Sequence, residues 1–295
     1  MAERVVEVVS IYPKVHDYCR DYSAEGEPAD FTAEVSQADI DYERERSARE
    51  DICEGREITD YPDDYLEELA VYRRIAEKMP YYDTVLFHGS VIAVDGQGFL
   101  FTAKSGTGKS THTGLWRECF GERAVMVNDD KPLLRITDSG VTAFGTPYNG
   151  KHRLGCNMSV PLKALCILTR GTENSIVPVT RSEAYSMMLQ QVYRPSDPAG
   201  MAKTLALVDR LAENTGLYRL ACNMDKEAAI SATTDMERLQ EQLYENPLFS
   251  GLMTAEQDFQ NLVASVNREI NACIGSDQID PGCKGDCSGC AGCAH

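Results

Sequence analysis

No stretch of the chain approaches the roughly 18 consecutive apolar residues that a membrane-spanning helix requires, so no such helix is expected. The opening MAERVVEVVSIYPKVHDY mixes charges into its apolar run. It also lacks a basic segment followed by a small-residue cleavage site, so no secretory signal is expected. Positive charge is scarce as well: 29 Lys and Arg stand against 46 Asp and Glu, a formal net charge of −17. Such a chain repels nucleic acid and anionic lipid overall. Repeats and low-complexity tracts are missing outside the C-terminal tail. The expectation is a cytoplasmic protein without nucleic-acid or membrane partners.

What is present is enough for a core. The 295 residues are 43% hydrophobic, sufficient for one large domain or two small ones. Charge is unevenly spread. Residues 1–80 hold 22 acids against 10 bases, whereas residues 81–190 hold 9 against 11. The middle of the chain therefore escapes the acidic trend, as an anionic ligand would need. Eleven cysteines fall into two groups. Seven are scattered, several in apolar runs such as ALCIL, and read as reduced core thiols. The other four crowd the C-terminus.

Patterning gives a mixed α/β order. RVVEVVSIY (4–12) reads as a strand, and the acidic stretch from there to about residue 60 has no clear period. From Asp63 the spacing of Leu66, Leu69, Ala70, Ile75 and Ala76 predicts a helix. TVLFHGSVIAV, the turn DGQG and FLFT read as strand, turn, strand over 84–102. A helix from about Lys109 to Phe120 and the strand AVMVN (124–128) follow. PLLRIT and VTAF flank the turn DSG as a hairpin, and PLKALCIL (161–168) reads as a buried strand. Helices are expected near 181–193, 198–214, 225–243 and 254–272, with the short strand LYRLAC between the second and third. The division expected is an acidic α/β segment (1–80), a core (81–250), a helix (251–275) and a cysteine-rich tail (276–295).

The chemistry concentrates in FTAKSGTGKSTHTG, residues 101–114. Here Ser105, Gly106, Thr107, Gly108, Lys109, Ser110 and Thr111 follow a strand and open a helix, the setting in which such a loop wraps phosphate. Gly106 and Gly108 permit backbone angles that let successive N–H groups converge on phosphate oxygens. The helix N-terminus adds a partial positive charge. Lys109 can reach the β- and γ-phosphates and Ser110 can ligate Mg²⁺. His112, in the first turn of the helix, can face solvent and is given no role.

A phosphate loop usually works with an acidic partner that holds the metal. Asp129 and Asp130, at the end of the apolar strand VMVN, are the candidates. One can serve Mg²⁺ and the other can accept a proton from a substrate hydroxyl. The alternative is a plain Asp-Asp turn. His88, in LFHGS, interrupts apolar strand residues and is either a hydrogen-bonded core histidine or part of a site.

The order His-Gly, hairpin, S-G-x-G-K-S and a strand ending in Asp-Asp resembles the catalytic domain of HPr kinase/phosphorylase over roughly residues 84–170. The S-G-T-G-K loop is also similar to that of the phosphoenolpyruvate carboxykinases, which share that fold. The resemblance implies a P-loop-containing mixed β-sheet core of that type with a helical C-terminal part. It further implies that His88 lies with Asp129 and Asp130 beside the γ-phosphate. Where those protein kinases carry a glycine-rich segment with Glu and Arg, this chain has GTPYNGKHRLGCN (145–157). There Lys151, His152 and Arg153 can supply charge to the transferred group, with Arg153 the strongest candidate, or form a solvated turn. The first eighty residues do not match those kinases' regulatory domain.

The tail CKGDCSGCAGCAH spaces Cys283, Cys287, Cys290 and Cys293 as C-x3-C-x2-C-x2-C. Four thiolates so spaced suit Zn²⁺ or an iron–sulfur cluster, or they form an unliganded tail. The function expected is an ATP- and Mg²⁺-dependent kinase whose acceptor is a hydroxyl on a small molecule or on a peptide or protein serine. Pyrophosphate as donor and the reverse phosphorolysis are alternatives. The rival class is a nucleotide-binding or redox- and metal-sensing regulator without transfer activity. The N-terminal segment and C-terminal helices are assigned, from position, to the acceptor site or to contacts in a homo-oligomer.

Overall fold

The computed structural model describes residues 1–223 apart from Glu25, Glu54, Ser105, Lys151 and His152, together with Ser265 and Val266. Met1–Asp235 form one compact unit and Met236–His295 a second. The expected helices over 225–243 and 254–272 and the tail thiols Cys283, Cys287, Cys290 and Cys293 lie outside the described residues.

The first unit begins with β1 (Val6–Val9), the short α1 (Lys14–Tyr18), β2 (Phe31–Glu34), α2 (Gln37–Cys53) and α3 (Asp63–Lys78). There follow β3 (Thr84–Leu86), β4 (Ser90–Val94), β5 (Gln97–Thr102), α4 (Lys109–Phe120), β6 (Ala124–Asn128), β7 (Leu133–Thr137) and β8 (Gly140–Phe144). The unit continues with β9 (Ser159–Arg170), β10 (Ser175–Pro178), α5 (Arg181–Gln191), α6 (Pro198–Glu213) and β11 (Gly216–Cys222). The fold is mixed α/β. No helix among the described residues is long and apolar enough to cross a membrane.

β1 and β2 pair in parallel as a separate ribbon, Val6 opposite Phe31. The remaining strands form one mixed sheet in the order β3-β7-β8-β9-β5-β4-β6, with β11 also on β9 and β10 on β11. β9 is the hub. Its first residues pair antiparallel with β8, and the rest runs parallel to β5 and to β11. Because one twelve-residue strand serves three partners, the sheet curls along it. The expected hairpins are present: β4 and β5 close at Val94↔Gln97, and β7 and β8 at Thr137↔Gly140.

Two apolar clusters hold the unit together. Sheet residues such as Val91, Leu100, Leu134 and Leu165 pack against Ala184 and Met188 of α5 and Leu207, Val208 and Leu211 of α6. α4 lies over β4, β5 and β6, with Trp116 set 5.2 Å from the Phe99 ring and 4.9 Å from the Phe101 ring. The second cluster joins Leu66, Ala70, Val71 and Ile75 of α3 to Leu86, Leu133, Phe144 and Tyr148 of the sheet region. α3 is therefore the element that fastens the N-terminal segment to the sheet, as its apolar spacing predicts.

Four elements depart from the sequence reading. The single strand expected over 84–94 is broken between Leu86 and Ser90 into β3, which pairs with β7, and β4, which lies between β5 and β6. The strand expected over 4–12 spans only Val6–Val9. β10, with a proline in it, was not anticipated. α2 has no apolar period because its buried side is charged: Asp39, Glu43 and Asp51 lie inward beside Ile40. Arg73 of α3 closes that interface, its Nη2 2.8 Å from Asp39 and its Nε 2.6 Å from Glu43.

Candidate functional site

The sheet register explains why distant segments converge. Ser90, at the start of β4, lies opposite Phe101 near the end of β5, and Val91 lies opposite Asn128 at the end of β6. The start of one antiparallel strand and the ends of its two neighbours therefore share one sheet edge. His88 and Gly89 sit just before β4, the glycine-rich loop just after β5, and Asp129 and Asp130 just after β6. Carboxyl ends of strands are where ligands of α/β sheets gather.

The loop carries Gly106 at φ 74° and Gly108 at φ 115°, left-handed conformations that residues with a Cβ rarely adopt. Gly108 is the N-cap of α4, and no side chain among the described residues caps that helix. Its first-turn N–H groups thus remain for an anion. Arg170 at the end of β9 donates to the Gly106 carbonyl at 2.7 Å and pins the loop. Half-buried Lys109 has no carboxylate within ion-pair distance among the described residues. Burial lowers its pKa, against the opposing charge of Asp130. Ser105 lies outside the described residues.

The two aspartates have different surroundings. Asn128 Oδ1 accepts from the N–H groups of Asp130 and Lys131 at 2.9 and 2.6 Å, so the turn is held by a side chain of the preceding strand. Asp129 is buried, and its carboxylate accepts from the Gly150 N–H. A Cβ at position 150 would stand 2.9 Å from that carboxylate, so only glycine permits the approach. Asp130 instead faces His88, with Nε2 to Oδ1 at 3.4 Å, and Lys131 Nζ lies 3.7 Å away. Burial raises the Asp130 pKa, but the His88 hydrogen bond and the charges of Lys131, His88 and Lys109 outweigh it, leaving a net lowering. His88 Nδ1 is 2.8 Å from Gln191 Oε1. The imidazole is thereby fixed between an amide and a carboxylate.

These groups line one cavity of about 840 Å³. The structure brings together His88, Gly106, Thr107, Gly108, Lys109, Ser110, Thr111, Asp129, Asp130 and Arg153 around it. The opposite wall comes from the N-terminal segment: Lys14 and Tyr18 of α1, Tyr65 and Glu68 of α3. Lys14 bridges Asp64 at 3.1 Å and Glu68 at 3.5 Å. Burial raises the Glu68 pKa, against the charge of Lys14. Arg153, at φ 48°, lays its guanidinium 4.6 Å from the Tyr18 ring centre. Lys151 and His152 lie outside the described residues.

The sequence reading missed Gln191 and Asn128, and it assigned the N-terminal segment to the acceptor site or to subunit contacts by position without naming Lys14, Tyr18, Tyr65 or Glu68. Asn128 carried a signal, since an Asx residue directly before a turn commonly caps it; Gln191 and Glu68 carried none. His112, which the sequence left free to face solvent, instead lies on the buried face of α4, 4.7 Å from the Phe101 ring. Burial lowers its pKa to about 4. Among the described residues no cluster of three or more His, Cys, Asp or Glu can hold a metal ion by itself. Ser110, Asp129 and Asp130 line the same cavity, and hydroxyl and carboxylate oxygens are donors of the kind Mg²⁺ takes beside waters and phosphates.

The family model of the SynChlorMet cassette protein ScmC matches residues 52–228, more than half of the chain. That of the control of competence regulator ComK, YlbF/YmcA, matches residues 217–274, almost all outside the described residues. No curated protein matches. Among solved structures, the Hpr(Ser) kinase/phosphatase from Coxiella burnetii is similar at 12% identity and a TM-score of 0.33, over 54% of this chain and 94% of that one. That likeness is weak and distant, and bears on neither activity nor site.

Proposed function

The chain belongs to the family of SynChlorMet cassette proteins ScmC, and we propose that it is an ATP- and Mg²⁺-dependent phosphotransferase with a hydroxyl acceptor, built on a phosphate-loop core of the HPr kinase type. The acceptor hydroxyl belongs to a small molecule or to a serine of a peptide or protein, and the reaction belongs in the cytoplasm. One observation carries this reading. Lys109 and Ser110 after β5, the aspartates after β6 and His88 before β4 line a single cavity at one sheet edge. A nucleotide sensor would need the loop but not a carboxylate oriented by an imidazole.

The residues divide the work as follows. The uncapped first turn of α4 and Lys109 bind the terminal phosphates and neutralise charge that grows as the phosphoryl group leaves. Ser110 and the carboxylate of Asp129, steadied by the Gly150 N–H, would hold Mg²⁺. An Mg²⁺ ion held there would supply positive charge to offset that on the phosphates. Asp130, oriented by His88, takes the proton from the acceptor hydroxyl as its oxygen attacks the terminal phosphorus. Arg153 meets the transferred group from the facing wall. Such chemistry depends on positioning and electrostatics.

The test incubates γ-labelled ATP, Mg²⁺ and the protein with source-cell extract, with Lys109→Ala as control, and then separates the extract by size. Lys109-dependent label among small molecules identifies a metabolite kinase, and among macromolecules a peptide or protein kinase. Nucleotide binding without label in either fraction sinks the reading in favour of a sensor.

A further inference from the structure

The glycine-rich loop borders a second cavity, of about 560 Å³, on its other side. Thr111, His112, Leu115, Arg170, Cys222 and Asn223 contribute to its lining. Its volume falls in the ~300–1,000 Å³ range of small-molecule sites. The two cavities share Gly106, Thr107, Gly108 and Thr111. The loop is thus a ridge with a ligand-sized space on each flank.

The flanks differ in chemistry. The larger cavity presents Lys14, Lys109 and Arg153 with Glu68, Asp129 and Asp130. The smaller presents, among the described residues, one charged side chain, Arg170, beside neutral and apolar groups. There His112 is more than nine-tenths buried, and its Nε2 has no hydrogen-bond partner among the described residues. Its Nδ1 lies 3.7 Å from Cys222 Sγ. Arg170, held on the Gly106 carbonyl, has no carboxylate partner among the described residues. A ligand spanning the ridge would be a polyanion at one end and a weakly polar ring system at the other.

We infer that the smaller cavity receives the nucleoside of the phosphate donor, so that the donor is a nucleoside triphosphate rather than pyrophosphate. The inference rests on the phosphotransferase reading. Thr111, common to both cavities, marks where the phosphate next to the ribose crosses the ridge. Arg170 offers that phosphate a cation. Leu115 and the His112–Cys222 corner take the base. Inorganic triphosphate would fill the charged side alone.

Calorimetry with ATP, GTP and inorganic tripolyphosphate tests this on the full chain, with Lys109→Ala as the loop control and Leu115→Trp filling the smaller cavity. The better nucleotide should bind wild type at least about tenfold more tightly than tripolyphosphate. Leu115→Trp should remove at least about tenfold of its affinity and leave tripolyphosphate within about twofold. A second measurement needs no variant: alkylation of Cys222, followed by peptide mass spectrometry, should slow with the nucleotide and not with tripolyphosphate. Equal weakening of both ligands in Leu115→Trp overturns the inference, and so does a bound nucleotide that leaves Cys222 reactive. In those cases Lys109-dependent transfer would still support the phosphotransferase. If none of the three ligands binds in a Lys109-dependent manner, both readings fall together.

Discussion

β5 buries Phe99, Leu100 and Phe101, whereas α2 buries Asp39, Glu43 and Asp51 around Ile40. The two elements stand for two regions that meet at the candidate site. On the sheet side, apolar side chains leave water wherever they find other apolar surface, and nearly any close-packed arrangement rewards them. In the N-terminal segment, buried Asp39 and Glu43 are tolerable because Arg73 of α3 stands at one fixed place, 2.8 Å from the first and 2.6 Å from the second, while buried Asp51 takes Arg56. The first kind of burial is a property of the strand itself. The second exists only as a relation between two helices, of which α3 also carries Tyr65 and Glu68 in the wall that faces the phosphate loop.

Function should divide along the same line. Asp130→Asn, on the sheet side, should lower turnover by about 10²–10⁴-fold, the usual worth of a positioned acid or base, with nucleotide affinity nearly unchanged. Steady-state kinetics beside nucleotide titration reads both quantities. Equal loss of affinity and turnover would argue that Asp130 holds metal or nucleotide and is no proton acceptor.

Stability offers the next largest contrast. Arg73→Met leaves Asp39 and Glu43 without their buried partner and should cost about 3–5 kcal/mol in urea unfolding. Replacing Asp39, Glu43 and Arg73 together with apolar residues of similar size should recover most of that loss, since an uncompensated charge costs more than the pair contributes. Leu134→Ala in the sheet core should cost about 2–5 kcal/mol, and no polar substitution elsewhere should rescue it. Rescue in both regions, or in neither, would erase the distinction drawn between them.

Acid should separate the regions by pH window. His112 is buried and its folded pKa is lowered to about 4, while an exposed histidine titrates near 6.5. The unfolded chain therefore binds more protons in this interval, so stability is full above pH ~6.5 and falls as pH drops toward the folded value. Asp39 has its pKa lowered: burial raises it, but the Arg73, Ser36 and Arg74 hydrogen bonds prevail. Its contribution is present above the ordinary carboxylate pKa of about 3.9 and is lost only as pH falls below it. Urea midpoints measured across pH should show the first loss vanish in His112→Phe and the second persist.

The smallest effect is expected at the wall. Glu68→Gln should leave turnover at saturating acceptor unchanged and raise acceptor KM about 3–10-fold, the worth of one hydrogen bond. A fall in turnover at saturation would move Glu68 from acceptor binding into the chemistry.

Much of the sheet was legible because period, turn residues and strand propensity agreed in β4, β5, β6, β7 and β8. Their hairpins followed from Asp95-Gly96 and from Asp138-Ser139-Gly140. α3 was legible for the same reason, its apolar face being continuous. α2 was not, because a helix whose inward side is acidic looks like a solvated one until Arg73 is in place. At the site, the loop and the aspartates were legible as motifs. Gln191 was not, since its hydrogen bond to His88 joins residues 103 positions apart. The burial of His112 was legible in part, since its spacing from Trp116 and Phe120 puts it on the apolar face of α4; that Phe101 of β5 covers it there was not.

By itself, the sequence determined the strand–loop–helix that presents Gly106, Gly108, Lys109 and Ser110, and the acidic turn after AVMVN, since backbone freedom, helix polarity and local hydrophobic period are short-range properties. Tertiary structure alone decided that His88 stands 3.4 Å from Asp130, that α1 and α3 close the opposite wall, and that the loop divides two cavities. Those facts depend on strand register and on the apolar packing of α1 and α3 against the sheet, which only the assembled chain brings about.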